Sequence, residues 1–519
     1  MAIVGNLLKK GIGLTTVIQR KKTNHAKLQK KTLIKLLNKA RFTQFGDKFN
    51  FEDIMNAALF SDDKEYYTKF KNQVPVYDYN KMYSEWWYKA HAGEKNVAWP
   101  GRVKYFALSS GTSEAASKHI PVTKDMVKAI HRTSIRQILS LGSYKNLPPQ
   151  LYEKGYLMLG GSTELQQMGS HYEGDLSGIT AGKIPFWFER FYKPGKKIAA
   201  TRDWSEKLDK ITKQAKNWDI GFIVGVPAWI QLLMEKIIKE YGVNNIHDIW
   251  PNLEIFCHGG VSFEPYKQGF EKLLGRPITY IETYLASEGF LAYQTHPNSD
   301  MRLVLNNGIF FEFVPFNENN FDADGTMVDR PETLMIDEVE EGKEYALLIS
   351  TVSGTWRYLI GDTIKFTNKK NAEIVITGRT KHFLSLCGEH LSVDNMNKAI
   401  ELASKHFNID IREFTVVGKK VETTFAHHWY VGTDDKIEPE ALAQFIDKTL
   451  CEINDDYPVE RKHALREMKV RVLPAKTFYD FMASKGKTGG QNKFPRVIKK
   501  KEQIEDWENN LPNYIKLAY

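Results

Sequence analysis

The stretch "YFALSSGTSEAASKHIPVT", Tyr105 to Thr123, passes from an apolar strand-like run through a hydroxyl-rich cluster with one glycine to a lysine and a second strand-like run. Its centre, Ser109-Ser110-Gly111-Thr112-Ser113, offers hydroxyls and closely spaced backbone N–H groups in a conformation glycine permits, with Lys118 beyond as a cation. Two readings fit: a polar turn between strands, or a loop that holds phosphate. The common nucleotide-triphosphate loop is not the template, because Gly486-Lys487-Thr488 has Phe481 where that motif requires glycine.

The surroundings bear on the choice. From residue 99 onward, short apolar runs such as "GYLMLGG", "IGFIVGV", "LEIFCHGG", "ITYIETYLAS", "GIFFEFVPF" and "YALLIST" are bounded by Gly, Pro or polar residues, as buried strands are. Helical patterns alternate with several of them, as at Pro227 to Tyr241, where Pro227 suits a first helical position and Gly242 an exit. Residues 24–90 read as mostly helical, with "LQKKTLIKLL" and "FEDIMNAAL" spacing apolar residues by three and four. The pattern is that of an α/β protein, whose ligands gather at the carboxyl ends of strands.

At 519 residues the chain exceeds the roughly 250–300 residues of a single core, so a large N-terminal multi-sheet α/β domain, 1–380, and a smaller C-terminal α/β domain, 381–519, are expected. Hydrophobic residues at 42% and aromatic ones at 12% fit a folded protein with an aromatic-rich core. The net charge of +9 is spread along the chain and no nucleic-acid-binding module accompanies it. Cys257, Cys387 and Cys451 are few and far apart, as in a reducing cytosol. No stretch approaches the roughly 18–20 apolar residues of a membrane span, and "MAIVGNLLKKGIGL" lacks a signal peptide's apolar core, so a cytoplasmic protein is expected.

Other candidate positions fall after the apolar runs. In "YIETYLASEG", Tyr284 can stack a base and Ser287-Glu288 can hold Mg²⁺ against phosphates, or the tyrosine is core and the glutamate surface. Gly259-Gly260 ends a strand where a flat ring can lie against bare backbone, or forms a tight turn. "TWRYLIGDTIKF" sets Asp362 in a Gly-Asp turn between two strands, its oxygens suited to ribose hydroxyls or the turn an ordinary hairpin. Arg379 and Lys381 in "ITGRTKHF" and Lys493 in "GGQNKFPRV" are basic residues in or beside glycine-marked loops, or solvated charges.

The order of these pieces resembles the adenylate-forming superfamily, and in detail the auxin-responsive-promoter family of acyl acid amido synthetases. The resemblance rests on Ser109 to Ser113 with Lys118, Tyr284-Leu285-Ala286-Ser287-Glu288, Tyr358-Leu359-Ile360-Gly361-Asp362 and Gln491-Asn492-Lys493-Phe494-Pro495-Arg496, with "GVPAW" at a strand-to-helix junction. It runs from about residue 75 to 515. Two departures stand out: Ala115 where the family usually has glycine, and Leu359 where it usually has arginine, with Arg357 nearby as a replacement.

The resemblance implies an ATP-dependent ligase with Mg²⁺ that adenylates a small carboxylic acid and passes the acyl group to an amine, an amino acid being the expected acceptor. It implies Ser109, Ser110, Gly111, Thr112, Ser113 and Lys118 on the β- and γ-phosphates, Glu288 on the metal, and Tyr284, Ser287, Gly259 and Gly260 around the nucleotide. Asp362 with Arg379 would take the ribose, Lys493 would be catalytic between carboxylate and α-phosphate, and Lys381 would be the hinge of a mobile C-terminal domain. Trp229 is a candidate wall of the acyl pocket. A thioester-forming ligase of the acyl-CoA synthetase type shares every adenylation motif, and a non-catalytic nucleotide-binding protein is the alternative outside enzymes.

Overall fold

The computed structural model describes residues 24–60, 64–109, 118–184, 188–260, 263–317, 319–322, 325–380, 383, 384, 386, 387, 389, 391–422, 424–454, 456–485, 494–498 and 501–518. The chain packs as two compact units, the first containing the described residues up to Ser109, Lys118–Phe263 and Phe270–Thr380, and the second chiefly the described residues beyond Thr380.

The first unit is built on an eleven-stranded mixed sheet. Its parallel half pairs Tyr192–Lys193, Gly155–Met158, Ile220–Gly225, Ile255–Gly259 and Thr279–Ala286 in that spatial order. Its antiparallel half continues through Gly289–Gln294, Met301–Leu303, Glu373–Arg379, Thr355–Asn368, Glu344–Thr351 and Ile309–Pro315. Thr279–Ala286 is the seam, parallel to one neighbour and antiparallel to the other. Central strands carry unbroken apolar runs because they are buried on both faces: Ile220, Phe222, Ile223, Leu291, Ala292, Leu347 and Ile349 are almost completely inaccessible.

Helix His25–Ala40 starts at Asn24, whose side chain accepts from the Lys27 amide. It is pinned to the sheet by Gln29, which donates to the carbonyls of Leu305 and Ile309 and accepts from the Phe311 amide. Helix Pro227–Tyr241 begins with proline at its first turn and ends at Gly242, whose φ of 62° is left-handed. A four-stranded sheet, Lys118–Val122, Tyr105–Ser109, His171–Gly174 and Gln166–Met168, completes this unit; Ser109 and Lys118 face each other at the end of its antiparallel hairpin.

The structure corrects the setting of Asp362. Thr355–Asn368 is one strand of 14 residues, not two strands around a turn. Leu348 pairs with Leu359 but Ala346 pairs with Thr363, so Ile360, Gly361 and Asp362 form a bulge inside the strand. Gly361, at φ 95°, makes the bend, and pairing with strands on both sides carries the chain straight on.

The second unit has a four-stranded sheet in the order Leu465–Leu473, Thr424–Thr433, Ile411–Val421, Val497–Ile498. Helices Val393–Phe407, Pro439–Ile453, Tyr457–His463, Ala475–Ser484 and Lys501–Ala518 accompany it. Trp507, Phe478, Phe481 and Phe494 form an aromatic cluster in its core.

Candidate active site

The candidate site of the first unit lies where the seam strand Thr279–Ala286 ends. Ala286 pairs with Gly289, so Ser287 and Glu288 are the two residues of a tight hairpin. Glu288 is nonetheless only 8% exposed. Tyr358 of the long strand is buried too, and the charge of Glu288 acts on its hydroxyl. Burial raises the Glu288 carboxyl above its ordinary value, and the negative charge of Asp362 adds to this while Lys118 and Arg379 oppose it. A buried carboxylate pushed upward in this way is one that a divalent cation would return to its charged form.

Asp362 sits on the bulge opposite Arg379 in register. Its Oδ1 accepts from Arg379 Nε at 2.6 Å and its Oδ2 from Tyr284 Oη at 2.5 Å. A carboxylate has about four acceptor positions, so these two bonds leave one free lone pair on each oxygen. The same bonds fix the Tyr284 ring, whose hydroxyl is pushed far up by burial and by the Asp362 charge. Backbone pairing holds the corner, with the Thr380 amide donating to the Gly361 carbonyl at 2.8 Å.

Four sequence-derived positions, Tyr284, Glu288, Asp362 and Arg379, are therefore brought together, and Lys118 acts on Glu288 electrostatically. Lys118 Nζ also lies 5.3 Å from the centre of the Tyr79 ring. Ser110 to Ser113, Lys381 and Lys493 lie outside the described residues, and Ser109 is described only through its backbone.

Gly259 and Gly260 both have structural reasons to be glycine. A Cβ on Gly259 would collide with the Thr283 carbonyl oxygen of the neighbouring strand, and Gly260 has φ 84°. Trp229 is 7% exposed and meets Trp204 edge to face, with ring centres 4.6 Å apart.

Arg357 does not replace the arginine missing at Leu359. Its guanidinium is buried on Glu312 at 2.9–3.1 Å, on Thr333, and on the carbonyls of Lys71 and Val74. Leu359 itself fills an apolar cluster with Val76, Val314, Phe321, Ala346 and Leu348. Tyr358 stands in an apolar run that marks it in sequence only as core, and in the structure its ring centre lies 5.4 Å from that of Trp87.

The architecture is that of an adenylate-forming enzyme. It superposes on a GH3.15 acyl acid amido synthetase with a TM-score of 0.57 at 16% identity, covering 96% of this chain and 95% of that one. Against 2-hydroxyisobutyryl-CoA ligase, solved with an acyl-AMP and CoA, the TM-score is 0.59 at 13% identity, covering 95% and 94%. Three family models match in succession: the GH3 family N-terminal domain over residues 15–169 and 161–278, the GH3 family central domain over 302–379, and the GH3 family C-terminal domain over 394–502. The chain belongs to the GH3 family.

Among its relatives, indole-3-acetic acid-amido synthetase GH3.4 of Arabidopsis thaliana is 25% identical over 49% of this chain and 45% of its own length. Jasmonoyl–L-amino acid synthetase JAR4 of Nicotiana attenuata is 26% identical over 51% and 47%. Jasmonoyl–L-amino acid synthetase JAR6 of the same species is 22% identical over 83% and 85%. The first two matches thus span about half the length of those relatives. Among the described residues no helix is long and apolar enough to cross a membrane.

Proposed function

We propose that this protein is an ATP-dependent acyl acid amido synthetase. A carboxylate oxygen of a small organic acid attacks the α-phosphorus of ATP; the bond to the β-phosphate oxygen breaks, and pyrophosphate leaves. An amino acid's neutral amine then attacks the acyl carbon, AMP departs with the bonding electrons, and the nitrogen loses a proton. The observation carrying this reading is the hydrogen-bonded set Tyr284–Asp362–Arg379 beside the buried Glu288, at the end of the seam strand of a GH3 family chain.

In this scheme Asp362 accepts from the ribose hydroxyls, and the bond from Arg379 aims its carboxylate. Tyr284, locked by Asp362, flanks adenine with Gly259, Gly260 and Ser287. Ser109 to Ser113 and Lys118 hold the β- and γ-phosphates. Glu288 would hold Mg²⁺, which supplies neutralising charge where two anions meet. Lys493 stabilises charge developing between the carboxylate and the α-phosphate. Residues 1–380 act as the ATP- and acid-binding domain, with Trp229 against the acid, while 381–519 move about Lys381 to bring Lys493 in and take it away. Three free cysteines agree with a cytoplasmic setting.

The test is a pyrophosphate-release screen over carboxylic acids, with amino acids and coenzyme A as rival acceptors. An acyl–amino acid product is expected; thioester formation with coenzyme A and none with any amino acid would overturn the amide assignment. Lys493→Ala should lower acid-dependent pyrophosphate exchange at least ~100-fold while ATP still binds. Unchanged exchange would remove Lys493 from its role.

A further inference from the structure

One face of the small sheet carries a polar cluster that the ligation chemistry does not use. His171 and Glu173 are alternate residues of strand His171–Gly174 and so share a face. Phe106 of the adjoining strand is in register with both Glu173 and Pro121, which puts His119 on that face too. His91, ending helix Tyr88–His91, joins the cluster. Its Nε2 lies 2.7 Å from Glu173 Oε1, His171 Nε2 lies 2.9 Å from the same oxygen, and His119 Nε2 lies 3.5 Å from Oε2.

We propose that His91, His119 and Glu173 bind one divalent cation of the zinc class, with His171 orienting Glu173 and a fourth coordination position left open. The ligand atoms of the three lie within 4.8 Å of one another. Zinc bonds of 2.0–2.1 Å in a tetrahedron require ligand atoms roughly 3.3 Å apart. Glu173 Oε2 already stands 3.5 Å from His119 Nε2, and His91 Nε2, 2.7 Å from Oε1, shifts toward Oε2 to join it. Two imidazoles with one carboxylate favour zinc, cobalt or nickel over magnesium, which prefers oxygen ligands.

The supporting contacts match such a site. His91 Nδ1 lies 3.2 Å from Tyr83 Oη, a partner that fixes the ring and can accept the Nδ1 proton when Nε2 binds metal. His171 Nδ1 is buried with no hydrogen-bond partner among the described residues. That suits the tautomer whose proton sits on Nε2 and is donated to Glu173, the role of an orienting residue. The side chains of His91 and His119 are 25% and 23% exposed, so an ion has a way in.

A cation here would clamp the helix ending at His91 to the strand that begins with Lys118. The test uses the full-length protein, stripped with chelator and titrated with Co²⁺ and then Zn²⁺, followed by calorimetry, visible absorption and thermal melting. One equivalent of Co²⁺ is expected to give the absorption of a low-coordinate site, to be displaced by Zn²⁺, and to leave no such signal with Mg²⁺. Glu173→Gln and His91→Ala should each weaken Zn²⁺ at least ~10-fold and abolish its effect on melting. If Glu173→Gln fails to fold, the part-exposed His91→Ala decides the matter. Absence of a one-equivalent site, or variants that bind as tightly as the parent, would overturn the proposal and assign any bound zinc to other members of the chain's 14 histidines. Neither readout depends on ligase activity.

Discussion

Arg357 shows how a single residue's role depends on what lies far away in sequence. Near Asp362 in the chain, it looks like a charge for the nucleotide; in space it is 3% exposed and paired with Glu312, which is 0% exposed. Tyr67 also donates to that carboxylate, at 3.1 Å. Removing one partner of such a pair leaves the other charged and buried. Arg357→Met should therefore cost about 3–5 kcal/mol in urea unfolding, and the double variant Arg357→Met/Glu312→Leu should recover a substantial part. A loss below about 1 kcal/mol in the single variant would mean that Glu312 is satisfied without the guanidinium. The pairing was illegible in sequence because Glu312 sits inside the apolar run "GIFFEFVPF", where alternation assigns it no partner.

At the scale of elements, the strands were legible and the bulge was not. Continuous apolar runs mark strands buried on both faces, so Ile220–Gly225, Ile255–Gly259 and Glu344–Thr351 fall close to where those runs stand. Gly361-Asp362 reads the same in a hairpin and in a bulge; the long-range pairing of Glu344–Thr351 and Glu373–Arg379 decides between them. Gly361 has open space around its absent side chain, Thr380 Oγ1 being the nearest contact at 4.0 Å, so its requirement is the backbone angle of 95°. Gly361→Ala should thus lower stability by about 1–2 kcal/mol through backbone strain alone. It should also weaken ATP binding, measured by calorimetry, by turning Asp362 away from Arg379. Unchanged affinity would separate the bulge from the nucleotide site. The histidine cluster escaped sequence reading for a related reason: sheet register brings His119 and His171 onto one face, and the helix ending at His91 adds the third from elsewhere in the chain.

At the scale of the whole molecule, stability need not be uniform, and the second unit contains its own acid-sensitive support. Glu389 and His427 are both fully buried, 3.0 Å apart, and Glu389 also accepts from the amides of Leu386 and Cys387. Burial alone would raise the Glu389 carboxyl; the bond and charge of His427 and those two amides outweigh it and bring the pKa down to about 2. Its folded value lies below the unfolded one of about 4.5, so the stabilisation is complete above that pH. It drains away as pH falls toward 2. Glu389→Gln should therefore destabilise the second unit near neutral pH by on the order of 2–3 kcal/mol, and the difference from the parent should shrink between pH 4.5 and 2. Hydrogen exchange at the Leu386 and Cys387 amides gives a local reading that unfolding of the first unit does not obscure. Faster exchange in the variant at pH 6, with a gap to the parent that narrows progressively below pH 4.5 after correction for intrinsic rates, is the expected result. A difference independent of pH would mean that Glu389 acts through shape and hydrogen bonding, with its charge contributing nothing.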